Sequence, residues 1–120
     1  MKILYQGSPG AYSHLAAKEL YPNAEIVACK TFDECFRKAE EDKTLKIIIP
    51  ESNRITGNIG IEYLIFKHRL NIYAEYFQKI EHNLLGLPGA KISDIKDVYS
   101  HGQALSQCSG FIKSHKLIEH

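Results

Sequence analysis

Apolar and polar residues alternate in blocks along the first half of the chain. Residues 3–6 form a short apolar run, a Gly-Ser-Pro-Gly turn at 7–10 interrupts it, and residues 11–20 repeat apolar side chains at helical spacing. Residues 24–29 and 45–49 are further apolar runs rich in branched side chains, which is typical of strands buried on both faces of a sheet. The pattern therefore predicts strands separated by helices.

Two more helices are predicted between and after these strands. Thr31 and Glu34 have the Ser/Thr-x-x-Glu spacing of a capping box, which marks the start of the first helix. Asn58 is the predicted first residue of the second helix, with Tyr63 and Phe66 on its apolar face. Strands that alternate with helices form parallel sheets, because parallel neighbours need a long crossover and a helix is the usual one. The predicted fold class is therefore α/β.

The second half of the chain has a weaker pattern. Residues 70–77 and 80–87 show little helical periodicity and carry several aromatic side chains, so they are predicted strands that cross into a second lobe. Residues 98–99 are a predicted short strand, and residues 103–115 a predicted helix with one apolar face. We expect a first α/β lobe over residues 1–75 and part of a second lobe over residues 76–120.

Composition excludes several classes of protein. Hydrophobic residues make up 44% of the chain, enough for a core, and the net charge of +1 comes without a basic run, so no nucleic-acid partner is expected. The N-terminal residues turn polar too early for a signal peptide, and no apolar run approaches the ~20 residues that span a bilayer. We therefore expect a cytoplasmic protein with no membrane partner.

The cysteines and histidines follow no pattern of a metal site. The three cysteines are odd in number and lack a Cys-x-x-Cys pair, which argues against a disulfide framework and a zinc site and favours buried thiols. The six histidines are scattered, without the i, i+4 spacing of a helical metal site. No metal ligand is predicted, and the glycine motifs that bind nucleotides are missing from the sequence.

Candidate chemistry gathers at three turns that follow predicted strands. They cover residues 5–13, 50–58 and 99–103, and they carry glycines, hydroxyls, side-chain amides and an imidazole. Ligands of parallel α/β sheets bind at such turns, where unpaired backbone N–H groups of the following helix point outward and favour an anion. A small anionic ligand is one interpretation. The other is that these polar residues only cap helices.

The same turns resemble motifs of the prephenate dehydratase family. Residues 5–13 look like its opening motif, and residues 50–59 are similar to its Pro-Ile-Glu-Asn-Ser segment. Residues 99–108 resemble its Ser-His-Pro-Gln-Ala-Leu-x-Gln-Cys motif, and the His-Asn-Leu-Leu stretch at 82–85 falls where the family has a similar one. The resemblance extends over essentially the whole chain.

The resemblance implies an enzyme that converts prephenate to phenylpyruvate with loss of water and carbon dioxide, without a cofactor. It also implies a fold like that of type II periplasmic binding proteins, of which this chain would supply the first lobe and an incomplete second lobe. The substrate is a small dicarboxylate, which agrees with the anion interpretation of the three turns.

The resemblance also assigns roles to single residues. Asn53, Ser100 and Gln107 occupy positions that the family uses in catalysis. Gln107 could instead cap a neighbouring segment, and His101 could instead donate to a backbone carbonyl. The residues expected to line the substrate pocket are Tyr12, Ser13, Thr56, Gly57, His101, Gln103, Ala104 and Leu105.

Departures from the family pattern leave a second interpretation open. The carboxylate of the family's Ile-Glu-Asn is displaced to Glu51, Ser8 replaces a family Glu, and Gly102 replaces a family Pro. The family's Thr-Arg-Phe motif, which supplies a catalytic hydroxyl and an arginine, is expected beyond residue 120. We therefore expect a truncated or split dehydratase that forms a homo-oligomer or is completed by a second chain. The alternative is a catalytically inactive remnant that binds a small carboxylate.

Overall fold

A computed structural model describes residues 1–53 and 57–120 of the chain. The chain divides into two compact units. The first comprises Met1–Ser52 and Asn58–Lys79, and the second comprises Asn53–Gly57 and Ile80–His120. Each unit contains its own parallel strands and its own helices.

The first unit is built on a three-stranded parallel sheet. Its first elements are β1 (Lys2–Gln6), α1 (Tyr12–Leu20), β2 (Glu25–Cys29), α2 (Phe32–Glu41) and β3 (Lys46–Ile48). The strand order is β2-β1-β3, so β1 is central. Leu4 pairs with Val27 on one side and with Ile47 on the other. The predicted alternation of helices with parallel strands is confirmed.

The central strand is buried more completely than its neighbours. Ile3, Leu4 and Tyr5 are consecutive and all nearly inaccessible to solvent. Because successive side chains of a strand point to opposite faces, both faces of β1 are covered. β3 is half-buried, and β2 has two exposed residues beside its buried Cys29, so the prediction that these strands are buried on both faces is wrong. Among the described residues, β2 and β3 are the edge strands of this sheet, each paired with β1 alone.

The start of α2 matches the prediction. Thr31 Oγ1 accepts a hydrogen bond from the Glu34 backbone N–H at 3.1 Å, as an N-cap does. The Glu34 carboxylate accepts in turn from the backbone N–H of Lys30 at 2.8 Å, so the two side chains satisfy two backbone donors at this end of the helix. The residues that α2 buries are Cys35, Phe36 and Ala39.

The cysteines are thiols, as the sequence predicts. Cys29 and Cys35 are buried against Leu4, Cys108 is half-buried, and all three are free. Burial raises the pKa of the Cys35 thiol far above its ordinary value, so the group stays protonated and contributes packing rather than reactivity.

A hairpin stands where the sequence predicts the start of a helix. β4 (Ser52–Asn53) and β5 (Gly57–Asn58) form a two-stranded sheet, and α3 (Glu62–Lys67) begins only after it. The prediction that Asn58 opens a helix is wrong. Asn58 Oδ1 accepts from the Gly60 N–H at 2.5 Å, and its amide group donates to the Glu62 carboxylate, so this side chain organises the turn before α3.

α3 also presents a different face from the predicted one. Tyr63 and Phe66 were expected on its buried face but are 66% and 89% exposed. The helix buries Leu64 instead, because its later start moves the inward positions along the chain. An ion pair of 2.8 Å between Lys67 Nζ and Asp33 Oδ1 joins α3 to α2.

Residues 70–87 contain no strand in the part of the chain that the structure describes, so both strands predicted there are wrong. A strand is stable only when it is paired, and the pattern of side chains cannot supply its partner. Contacts of Tyr73 hold part of this segment on the first unit. Its hydroxyl lies 3.4 Å from that of Tyr21, and the Lys46 ammonium lies 4.3 Å from its ring centre.

Over residues 80–120, the second unit has a short pair of parallel strands and three helical segments. Its elements after the 3₁₀ turn Ile92–Asp94 are β6 (Asp97–Val98), α4 (Gly102–Gln107), α5 (Ser109–Ser114) and β7 (Ile118–Glu119), and β6 pairs with β7. The helix predicted over residues 103–115 is interrupted at Cys108. The Cys108 N–H donates to the carbonyls of both Ala104 and Leu105 at 3.0 Å, which tightens the turn and ends α4.

Candidate functional site

The turn between β1 and α1 exposes the backbone of a helix start. Gly7 has a φ of +128°, and its N–H donates to the Cys29 carbonyl at 3.2 Å, which ties the end of β1 to β2. The cap residue of α1 is Ala11, and no side chain caps the helix. The interpretation that polar residues of this turn serve only as caps therefore does not hold for α1. The backbone N–H groups in the first turn of α1 have no side-chain acceptor from the cap residue. Such groups at a helix start stabilise an anion.

His14 fixes the shape of the same turn. Its Nδ1 accepts a hydrogen bond from the Gly10 N–H at 2.9 Å, and its ring stacks on Tyr5 at a centroid distance of 5.3 Å. Gly10 has a φ of +94°, a backbone conformation that glycine adopts without strain. Tyr12 and Ser13, the predicted pocket residues, are the first two residues of α1 and directly follow this turn.

The second predicted turn is the β4–β5 hairpin. Asn53 lies in β4 and Gly57, with a φ of +75°, in β5. The hairpin is closed by the Ile59 N–H, which donates to the Glu51 carbonyl at 2.9 Å. Thr56, the remaining predicted residue of this turn, lies outside the described residues. The displaced carboxylate of Glu51 belongs to an exposed side chain immediately before β4.

The third predicted turn leads from β6 into α4 and belongs to the second unit. His101 is the cap residue of α4, and its Nδ1 accepts from the Gln103 N–H at 3.3 Å. The prediction left open whether His101 donates to a backbone carbonyl. Nδ1 is an acceptor, so in the neutral ring the proton lies on Nε2, and Nε2 is the nitrogen that could donate to a carbonyl. Ser100 precedes this cap, and its N–H donates to the His120 carbonyl at 3.5 Å.

Gln107 ends α4 and contacts another segment of the chain, which the sequence left open as the alternative to catalysis, although the partner residue was not predicted. Its Oε1 lies 2.6 Å from His82 Nε2, and the two residues are 25 positions apart. Helical periodicity cannot reveal a partner in another segment, and the family-like stretch at 82–85 is the only signal in the sequence that concerns His82.

The predicted site residues from Ser100 to Gln107 lie on one continuous stretch of the structure. Ser100 and five pocket or catalytic positions follow one another from the end of β6 through α4, whereas Tyr12 and Ser13 belong to the first unit. The positions along α4 and its cap are His101, Gln103, Ala104, Leu105 and Gln107. The polar side chains among these predicted residues are a hydroxyl, an imidazole and two amides. Such groups can donate and accept hydrogen bonds, which suits the binding of a small polar molecule.

Two further observations concern metals and membranes. Across residues 1–53 and 57–120, no three His, Cys, Asp or Glu side chains are grouped so that they could hold a metal ion. Within the same described ranges, every helix is too short or too polar to cross a bilayer.

The parallel strands with helices between them define an α/β protein. Comparison with known families is more specific, since the model of the prephenate dehydratase family matches residues 3–120. The chain belongs to the prephenate dehydratase family.

Relatives with curated names agree with this assignment. The chain is 44% identical over 109 residues to arogenate dehydratase/prephenate dehydratase 1, chloroplastic, of Arabidopsis thaliana, which covers 90% of this chain and 28% of that protein. It is 43% identical over 109 residues to arogenate dehydratase 2 of Petunia hybrida, with the same two shares. The chain thus spans less than a third of the length of these relatives.

Solved structures share the fold over the whole chain. A prephenate dehydratase from Staphylococcus aureus matches with a TM-score of 0.72 and 25% identity, over 100% of this chain and 47% of that one. GqqA, described as a novel type of quorum quenching acylase, matches with a TM-score of 0.74 and 29% identity, over 100% of this chain and 44% of that one.

The relatives contradict the expected location. Several are named as chloroplastic, which points to a plastid, so the prediction of a cytoplasmic protein is wrong. That prediction used the lack of a signal-peptide pattern and of a membrane-spanning run. Neither feature separates the cytoplasm from a plastid.

Proposed function

We propose that this chain forms the N-terminal part of a prephenate dehydratase catalytic domain, which converts prephenate to phenylpyruvate with loss of water and carbon dioxide. The family match over residues 3–120 is the observation that carries the proposal. The uncapped start of α1 supports it independently, because a helix start without a side-chain cap favours an anion and the substrate is a dicarboxylate.

The chemistry needs positioned donors and no cofactor. The ring hydroxyl of prephenate leaves with a proton while the ring carboxylate departs as carbon dioxide, and the gain of aromaticity drives the reaction. Asn53, Ser100 and Gln107 are the proposed catalytic residues, which orient the substrate and assist departure of the hydroxyl. The proposed pocket residues are Tyr12, Ser13, Thr56, Gly57, His101, Gln103, Ala104 and Leu105.

The proposed arrangement is that of a type II periplasmic binding protein. Residues 1–75 are proposed as its first lobe and residues 76–120 as part of the second. The chain spans 47% of the S. aureus dehydratase, so further structure is proposed to complete the second lobe and to supply the Thr-Arg-Phe motif. Large exposed apolar side chains in the second unit, such as Leu85 at 86% and Leu87 at 84%, support an interface there.

The partner in this proposal is a second chain or another copy of the same chain. Sedimentation equilibrium of residues 1–120 over a range of concentrations distinguishes self-association from a stable monomer. A monomer that combines with the polypeptide encoded after residue 120 supports completion by a second chain. A monomer that combines with neither contradicts the proposed interface.

Phenylpyruvate formation from prephenate tests the activity. The assay is run on residues 1–120 alone and together with the polypeptide encoded after residue 120, with arogenate as the competing substrate. We expect turnover of prephenate in the completed protein, and a loss of about 100-fold in kcat/KM for Ser100→Ala. Ser109→Ala removes an exposed hydroxyl from α5 and is the matched control, expected to retain activity.

The departures at Glu51, Ser8 and Gly102 favour a second candidate function, a carboxylate-binding module without catalysis. It predicts that prephenate binds, with changes in the backbone amide spectra of residues 7–13 and 99–107, but that no phenylpyruvate forms under any of the assay conditions. Binding and turnover together would rule out this second candidate.

A further inference from the structure

The carboxamide oxygen of Gln107 is bonded to a side chain from another segment. His82 Nε2 and Gln107 Oε1 are 2.6 Å apart, which is at the short end of protein hydrogen bonds. Because Oε1 can only accept, the imidazole must carry its proton on Nε2 and donate. His82 lies in a stretch without regular secondary structure, so this bond connects that stretch to the end of α4.

The direction of this bond decides which group Gln107 presents. A carboxamide has an acceptor oxygen and a donor NH₂ group, and the two exchange places when the group turns by half a revolution. With the oxygen bound to His82, the NH₂ group is the end that points away. Within residues 1–53 and 57–120, Gln107 makes no other side-chain hydrogen bond, so its two N–H donors remain available to a ligand.

We infer that His82 is a positioning residue for the dehydratase reaction, because it fixes the Gln107 carboxamide with its donor end towards the substrate. This inference rests on the proposed function and on the proposed role of Gln107. Prephenate presents carboxylate, keto and hydroxyl oxygens, nearly all of them acceptors. A glutamine turned the other way would place its oxygen against a carboxylate, which is repulsive in a partly dehydrated site.

Without His82, Gln107 would spend part of its time in the wrong orientation. Its side chain is only half-buried and ends a helix of six residues, so packing alone does not restrict the rotation of its terminal group. Selecting one orientation before the substrate arrives removes an ordering cost from binding and from the reaction.

Two variants of His82 separate this role from simple packing. His82→Gln and His82→Glu have nearly the same shape, but the glutamine can donate from the position of Nε2 whereas an ionised glutamate can only accept. His82→Gln is expected to retain most of the activity of the completed enzyme. His82→Glu is expected to lower kcat/KM by between about 10-fold and 100-fold, since it turns the Gln107 NH₂ group towards itself.

A double-mutant cycle tests the coupling to Gln107. In a Gln107→Ala background, changing His82 to Glu is expected to cause no further loss, because the group that His82 orients is already gone. Equal losses for His82→Gln and His82→Glu, or losses that multiply in the double variant, would overturn the inference and leave His82 a packing residue.

A spectroscopic measurement on the unmodified chain needs no turnover, so it stays informative if the dehydratase proposal fails. Long-range ¹H–¹⁵N spectra of the His82 ring are expected to show the neutral tautomer protonated at Nε2. Replacing Gln107 by Ala is expected to shift these ring signals, whereas Gln78→Ala is expected not to. A ring protonated at Nδ1 would mean that Gln107 donates to His82, and the inference would be wrong.

Discussion

The Nδ1 of buried His68 lies 2.6 Å from Glu40 Oε2, which links the end of α3 to the last turns of α2. The carboxylate is the acceptor, so Nδ1 carries the proton. The ring also lies 5.9 Å from that of Phe36, which packs under it. His68 Nε2 is 3.5 Å from Asp33 Oδ1, too long for a good hydrogen bond, and it is buried without a hydrogen-bond partner within the described ranges.

The hydrogen bond between Glu40 and His68 makes the stability of the fold decrease at acid pH. It lowers the pKa of the Glu40 carboxyl below the ordinary value of 4.5. A carboxyl whose pKa is lower in the folded state stabilises fully above its ordinary pKa, and the effect is lost as the pH falls through the lowered value. We expect Glu40→Gln to flatten the fall of the thermal midpoint below about pH 4.5.

Glu41→Gln is the control for this prediction. Glu41 is the next residue of α2 and pairs with Arg37 at the surface rather than with His68. Its removal is expected to change the acid limb of the thermal midpoint less than Glu40→Gln does. Parallel acid limbs for wild type and Glu40→Gln would contradict the assigned role of the His68 bond.

Phe36 is expected to contribute most strongly to the stability of the first unit. It is 1% exposed, lies on the buried face of α2 and contacts the His68 ring. Phe36→Ala leaves a cavity and should lower the free energy of unfolding by about 3–5 kcal/mol in urea titrations. Phe66→Ala is the matched control, because Phe66 is 89% exposed and its loss should change that free energy by about 0.5 kcal/mol or less.

The α2 cap is a second, smaller contribution. Thr31→Ala removes the acceptor of the Glu34 N–H and should lower the free energy of unfolding by about 1 kcal/mol. Thr31→Ser keeps the hydroxyl and should lower the free energy of unfolding by clearly less than Thr31→Ala does. Both are measured by urea unfolding followed by circular dichroism. Equal losses for the two variants would show that the methyl group of Thr31, and not its hydroxyl, matters.

Alanine substitutions at Gly7 and Gly10 distinguish the cost of backbone strain from the cost of a steric clash. Both have positive φ, but a Cβ on Gly7 would lie 3.3 Å from Ala11 Cβ, whereas one on Gly10 meets nothing within 4 Å. Each change to alanine should cost about 1–3 kcal/mol in the free energy of unfolding for strain. Gly7→Ala should cost more than Gly10→Ala, since α1 must also shift. A larger loss at Gly10 in the same urea experiment would contradict this ranking.

The parts of the fold that follow from local pattern could be predicted from the sequence. The three strands of the first sheet, both of its crossover helices and the Thr31 cap each depend on residues close together in the chain. Residues 70–87 could not be predicted, because strand formation there depends on a partner that side-chain periodicity does not specify. The helix predicted at Asn58 failed because its side chain serves a turn equally well.

The candidate site also has features that local sequence predicts and contacts that it does not predict. The turns after β1 and β6 were located from their glycines and hydroxyls, whereas the cap at His101 was not predicted. The contacts between His82 and Gln107 and between His68 and Glu40 join distant segments, so no local spacing indicates them. Histidine is a frequent residue in both cores and sites, and its type alone does not reveal which role it has.

The central place of β1 affects the order of events during synthesis. β1 is made before both of its neighbouring strands, so its two hydrogen-bonded edges wait for strands made later, and the second of these is complete only at Ile48. Until then the apolar stretch Ile3 to Tyr5 has no finished layer around it. A nascent polypeptide halted between β2 and β3 therefore exposes an apolar strand that is paired on one edge only, and such a strand is prone to aggregation.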